Sequence, residues 1–176
     1  MFVLSPLKLL KFSTFKKTQY MKSIENWYSE YAVSHQNAVN QRIHFICVPL
    51  IFFSIVGLFM SIPNTSLRIV TKSDDLLLTN WALVALILPL MFYVRLSFQV
   101  FVRMLLFSFL CIVGNYLIAD QLPLLWTSLI IFVVAWVGQF YGHHIEGKKP
   151  SFLKDLQFLL IGPAWVFEKD QRNLKG

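Results

Sequence analysis

Long apolar runs separated by short polar breaks dominate this chain. One run without charge extends from Ile43 to Ile62, a second from Leu76 to Val94, a third from about Met104 to Ala119 and a fourth from Leu122 to Tyr141. A helix needs about 20 apolar residues to cross about 30 Å of hydrocarbon, so each run predicts a transmembrane helix. The third helix begins nearer Leu96 if Arg103 snorkels to the interface. Pro63 and Asn64 end the first run and are followed by Arg68, Lys72, Asp74 and Asp75, while Arg95 and Arg103 flank the connection after the second. Asp120, Gln121 and Pro123 make so short a turn that the third and fourth helices must form an antiparallel hairpin. There is no internal repeat and no low-complexity segment.

The predicted architecture is therefore an all-α integral membrane bundle of four transmembrane helices, with interfacial helical segments at both ends. Residues 23–42 are polar and helix-compatible, and Trp27, Tyr28 and Tyr31 suit an interfacial aromatic belt. Residues 151–167 are apolar but interrupted by Gly162 and Pro163, which predicts an interfacial or re-entrant segment. The alternative, a fifth crossing, would place the C-terminus on the opposite side. Residues 22–176 read as a single membrane domain. Residues 1–21 read as a basic extension, with Lys8, Lys11, Lys16 and Lys17 and no acid. They lack the continuous apolar core and cleavage site of a secretory signal, and suit a segment lying on the membrane surface. Translation from Met21 is the alternative.

Composition supports this. Hydrophobic residues make up 56% of the 176 and charged residues 14%, against about 25% charged in soluble domains. The net charge of +7 does not point to nucleic acid, because no basic patch interleaves with stacking aromatics. Instead the basic residues flank the apolar runs. Of 16 Lys and Arg, 14 fall before the first run, after the fourth, or between the second and third; Arg68 and Lys72 alone fall elsewhere. The positive-inside rule then places both termini in the cytoplasm, in the inner membrane of a bacterium or the endoplasmic reticulum of a eukaryote. Cys47 and Cys111 both lie in apolar runs, so no disulfide framework is expected.

The chemistry concentrates in four histidines. His35 and His44 frame the start of the first run, and His143 and His144 follow the end of the fourth. The predicted topology brings all four to one membrane face. Neutral imidazoles with an open position suit iron, copper or zinc, and ionisable groups at membrane depth usually have a function. On one unbroken helix, His35 and His44 would lie half a turn out of phase. Either the chain bends in the polar stretch Gln36–Asn40 or only one of the two is a ligand. Asn40 shares a helical face with His44, and Glu146 shares one with His143. Glu146 reads either as an ion-pair partner of Lys149 or Arg42, or as a group at the metal. Lys148 and Lys149 read as interfacial anchors that could also hold a fatty-acid carboxylate. Rival readings are a non-enzymatic scaffold or small transporter, and a histidine-box lipid hydroxylase or desaturase. Spans without interior acid or base argue against transport, and four histidines are few for a histidine box.

The stretches SHQNAVNQRIHFICVPLIFFS, holding His35, Asn40, His44 and Pro49, and GQFYGHHIEGKKPSFLKDLQFLLIGPAW, holding Gln139, Gly142, His143, Glu146 and Pro150, carry a resemblance. The chain resembles a family of membrane proteins once known only as a domain of unknown function, whose characterised fungal member is an iron-dependent 2-hydroxy-fatty-acid dioxygenase of α-oxidation. The resemblance covers roughly residues 22–170, and GKKPSF is similar to the bacterial branch. It implies Fe(II) as cofactor, held by His35, His44 and His143. It also implies a 2-hydroxy fatty acid and O₂ as substrates, with an acid one carbon shorter and CO₂ as products. His144 matches no fixed position of the family and is carried as an additional ligand. Asn40 and Glu146 would stand behind the ligands. Glu146 is offset by one residue from the fungal pattern.

Overall fold

A computed structural model describes residues 24–33 and 35–147, together with Pro163. The basic extension, Lys148, Lys149 and the segment 151–167 (Pro163 excepted) lie outside the described residues. Among the described residues there are six α-helices and no strand. They are α1 (Ile24–Val33), α2 (Ala38–Met60), α3 (Thr65–Thr71), α4 (Trp81–Leu96), α5 (Phe98–Gln121) and α6 (Leu124–Glu146).

Three of these, α2, α5 and α6, are long and apolar enough to cross a membrane. At 23, 24 and 23 residues they extend about 35 Å at 1.5 Å per residue. The second predicted span is shorter than its apolar run. Asp75 accepts hydrogen bonds from Leu77 N through its side chain and from Leu78 and Thr79 N through its carbonyl. These bonds turn residues 76–79 out of a helix. The Asn80 side chain then caps α4 by accepting from Leu83 N at 3.0 Å. Sixteen residues remain in α4, about 24 Å of helix. The third span takes the longer of its two predicted forms, starting at Phe98 with Arg103 inside its second turn.

The other corrections concern helix ends. α2 begins five residues before the apolar run, because Asn37 caps it by accepting from Val39 N and Asn40 N. α6 continues beyond Tyr141 and ends only where Gly147 adopts a left-handed φ of 70° and donates to His144 O. His143 is therefore a helical residue inside the bundle, not a residue past its end, and His44 lies within α2 rather than at its start.

α2 is central and packs mainly along α6, while α4 and α5 form a second close pair. Neighbouring residues fix the directions. Phe52 meets Phe107 and Gly57 lies against Asn115, so α2 and α5 run parallel. Gly57 also lies against Ser128, Cys47 against Gly138 and Asn40 against Gly142, so α2 and α6 run antiparallel. Gly138 and Gly142 form a small-xxx-small pair on α6, which lets two backbones approach closely in lipid. A methyl at Gly138 would sit 2.7 Å from Cys47 Sγ.

The distribution of polarity is inverted relative to a soluble protein. Asn40, His44, Ser54, Ser108, Asn115, Ser128, Gln139 and His143 are buried, while Leu88, Ile130 and Val134 are 76%, 62% and 65% exposed. Such an apolar exterior suits a lipid solvent. Several interior polar groups bond to backbone: Ser54 Oγ donates to Ile51 O, and Asn115 Nδ2 donates to Phe53 O and Cys111 O. Both cysteines are free thiols. Tyr28 departs from its predicted place in an aromatic belt. It is 8% exposed and joins the core cluster with Tyr93, Val100 and Met104, because α1 folds against the bundle.

Candidate functional site

The polar stretch after α1 does bend the chain. α1 stops at Val33, His35 N donates to Ala32 O at 3.1 Å, and residues 35–37 are not helical before α2 starts at Ala38. The bend removes the phase problem between His35 and His44, whose ring centroids are 4.4 Å apart. His143 completes the group from α6, 4.9 Å from His44 and 5.5 Å from His35 between centroids. All three rings are buried, at 2%, 2% and 6% exposure. Residues 108 positions apart in the chain thus meet in one buried cluster at one end of the bundle.

The tautomer of His44 follows from its surroundings. Its Nδ1 lies 3.0 Å from the backbone carbonyl of Asn40, one turn earlier. A carbonyl can only accept, so Nδ1 carries the proton and Nε2 keeps its lone pair. Nε2 is buried and makes no well-formed hydrogen bond among the described residues. A ring N–H held by a carbonyl, with the other nitrogen turned inward, is the usual arrangement of a metal-binding histidine.

The donor set fits an ion. One nitrogen from each of His35, His44 and His143 lies within 4.8 Å of the other two. A triangle with sides of 4.8 Å has its centre about 4.8/√3, or about 2.8 Å, from each corner, whereas a metal–imidazole bond is about 2.1 Å. Inward ring movements of under about 1 Å would close that difference, and three neutral imidazoles leave coordination positions open.

Of the residues singled out in the sequence, the structure brings together His35, His44 and His143. It does not bring in His144, which is exposed and lies about 100° further round α6. Asn40 and Glu146 lie behind the imidazoles and bond to each other, with Asn40 Nδ2 3.0 Å from Glu146 Oε2. The Glu146 carboxylate also accepts from Gln36 N at 2.9 Å and Asn37 N at 3.0 Å. These bonds hold its carboxylate at the start of α2. Gln41 Nε2 holds His35 by donating to its carbonyl at 2.6 Å.

Gln139 has no role in the sequence reading. It is 7% exposed, one turn from His143 on α6, and its amide lies beside the His44 ring. The four-residue interval between Gln139 and His143, shared by Gly138 and Gly142, is the signal that marks this face of α6.

No curated protein and no solved structure matches the chain. A family model does, over residues 21–174, and its description is 2-hydroxy-palmitic acid dioxygenase Mpo1-like. With nearly its full length matched and a buried triple-histidine cluster at one end of a membrane bundle, this chain belongs to the Mpo1-like family.

Proposed function

We propose that the protein is an Fe(II)-dependent membrane dioxygenase that shortens 2-hydroxy fatty acids by one carbon. The observation that carries this reading is the buried convergence of His35, His44 and His143, with one ring nitrogen of each within 4.8 Å of the other two. Membership of a family described by a 2-hydroxy acid dioxygenase supplies the reaction class. The overall conversion balances as 2-hydroxy acid plus O₂ giving the acid one carbon shorter, CO₂ and water.

His35, His44 and His143 would hold the iron. When bound, iron supplies O₂ activation and a Lewis-acidic anchor for the substrate's hydroxyl and carboxylate. The chain's own contribution is positional. The Asn40 carbonyl fixes the His44 ring, the Gln41 amide fixes His35, and the α2–α6 contact sets His143 against both. Gln139, one turn deeper in the bundle than His143, is placed to orient a polar group of the substrate at the inner edge of the cluster. The surrounding helices keep bulk water from the reacting atoms. Lipid-facing Leu, Val and Phe side chains let an acyl tail stay in hydrocarbon while its polar head reaches the histidines. Lys148 and Lys149 would meet the carboxylate or the headgroups at that interface.

In this reading α4 also crosses, giving four spans with both termini cytoplasmic. It packs beside α5 after a one-residue connection at Ser97, and the bilayer accommodates its short length by thinning or tilt. The histidines then sit near the cytoplasmic face, on the side with most Lys and Arg.

The test uses the detergent-purified full chain. It should contain iron and convert a 2-hydroxy fatty acid to the acid one carbon shorter, consuming O₂. His44→Ala and His143→Ala should each lose iron and turnover by 100-fold or more. Full turnover and iron content in both variants would refute the proposal.

A further inference from the structure

We infer that Glu146 is a positioning residue that sets all three imidazoles by completing the N-terminal cap of α2 from another helix. This rests on reading the histidines as a metal site.

A helix start leaves backbone N–H groups without partners. In a capping box, the side chain at the cap accepts from inside the first turn, and a Glu or Gln three residues later reaches back to the cap's own N–H. α2 has the first half of this device, because Asn37 Oδ1 accepts from Val39 N at 2.8 Å and from Asn40 N at 3.4 Å. It lacks the second half. The residue three positions on is Asn40, whose side chain points away to α6. Glu146 supplies the missing carboxylate across the helix pair: Oε2 accepts from Asn37 N and Asn40 Nδ2, and Oε1 accepts from Gln36 N. These bonds span 106 to 110 positions of sequence. An anion at a helix N-terminus is also favoured by the helix dipole, and hydrogen bonds to a carboxylate are among the stronger ones.

The groups joined by this network adjoin or hold the three histidines. Gln36 adjoins His35 in the non-helical link. Asn40 presents the carbonyl that holds His44 Nδ1. Glu146 itself lies about one turn beyond His143, in the last turn of α6. Gly147, at a φ of 70°, ends the helix there and leaves the Glu146 side chain at the helix end nearest α2. Glu146 is not a member of the ligand cluster, so its influence on an ion passes through the three histidines.

The experiment is Co(II) binding to the detergent-purified, metal-stripped full chain, read by the visible d–d bands. Wild type, Glu146→Gln, Asn40→Ala and the double variant are compared. Gln keeps the size of Glu, but one face of its amide would present N–H groups to N–H donors. The expected result is a Co(II) affinity 10- to 100-fold lower in Glu146→Gln at unchanged saturating stoichiometry, with shifted d–d bands. Asn40→Ala should show a smaller drop, and the double variant less than the product of the two, because both act through one network. If Glu146→Gln does not fold, the Asn40→Ala affinity and spectrum decide alone. Wild-type affinity and spectrum in the folded variants would overturn the inference while leaving the metal site standing. Loss of the bound ion at saturating Co(II) would make Glu146 a ligand and also overturn it. A wild type that takes up no Co(II) would fail the metal-site reading itself.

Discussion

Replacing Gly142 with Ala tests whether the close approach of α2 and α6 shapes the histidine cluster. The added methyl would overlap Asn40 Oδ1 and come 3.4 Å from His44 Cε1 and Nδ1. Asn40 cannot yield cheaply. It is fully buried, and its side chain is tied to Glu146. Either the helices separate or the amide rotates away from the carboxylate. Overpacking of this kind costs about 1–3 kcal/mol, and losing a hydrogen bond to a charged group costs about 1.5–3 kcal/mol. Each 1.4 kcal/mol of this that a bound ion must work against lowers affinity about tenfold. Gly142→Ala should therefore bind Fe(II) or Co(II) about 10- to 100-fold more weakly, while keeping every ligand. Gly114→Ala is the control, because there the methyl meets only the edge of the Phe53 ring, at 2.9 Å from Cε2 and 3.4 Å from Cζ, away from the histidines. Metal titration of the purified variants is the assay. Wild-type affinity in Gly142→Ala would show that the ligands are insensitive to the α2–α6 contact and that this contact does not place them.

Three further outcomes separate the site from the scaffold. Gly57→Ala puts a methyl onto Asn115 Oδ1 and Ser128 Oγ, where three helices meet far from the histidines. It should lower thermal stability in detergent by the equivalent of about 1–3 kcal/mol, while the protein that remains folded binds metal normally. His144→Ala should leave metal content and turnover within about twofold of wild type, because that ring is exposed. His35→Ala should abolish metal binding, and metal analysis of the two variants side by side checks the contrast.

The periodicity of the chain already determined that it is helical and lives in lipid. Runs such as Ile43–Ile62 are too apolar and too long for any other solvent, and the antiparallel turn at Leu122–Pro123 followed from its brevity. The four histidines were legible as a group, because polar residues flanking apolar runs stand out. Spacing did not say which of them meet, whereas the family resemblance picked out His35, His44 and His143. Sequence spacing leaves His143 and His144 equivalent, and only the rotation of α6 against α2 buries the first and exposes the second. Asn37 and Gly147, which extend α2 and α6 past their apolar runs, act through cap hydrogen bonds and a left-handed φ that hydropathy does not register. Leu76–Leu78 misled in the opposite sense, since hydropathy does not register the Asp75 bonds that hold them in a turn. Asn40 and Glu146 met because tertiary packing closed a gap of 106 residues. A local pattern fixes which solvent each segment prefers, but the geometry of a site shared between helices depends on how they pack, and that is decided jointly by residues far apart in the chain.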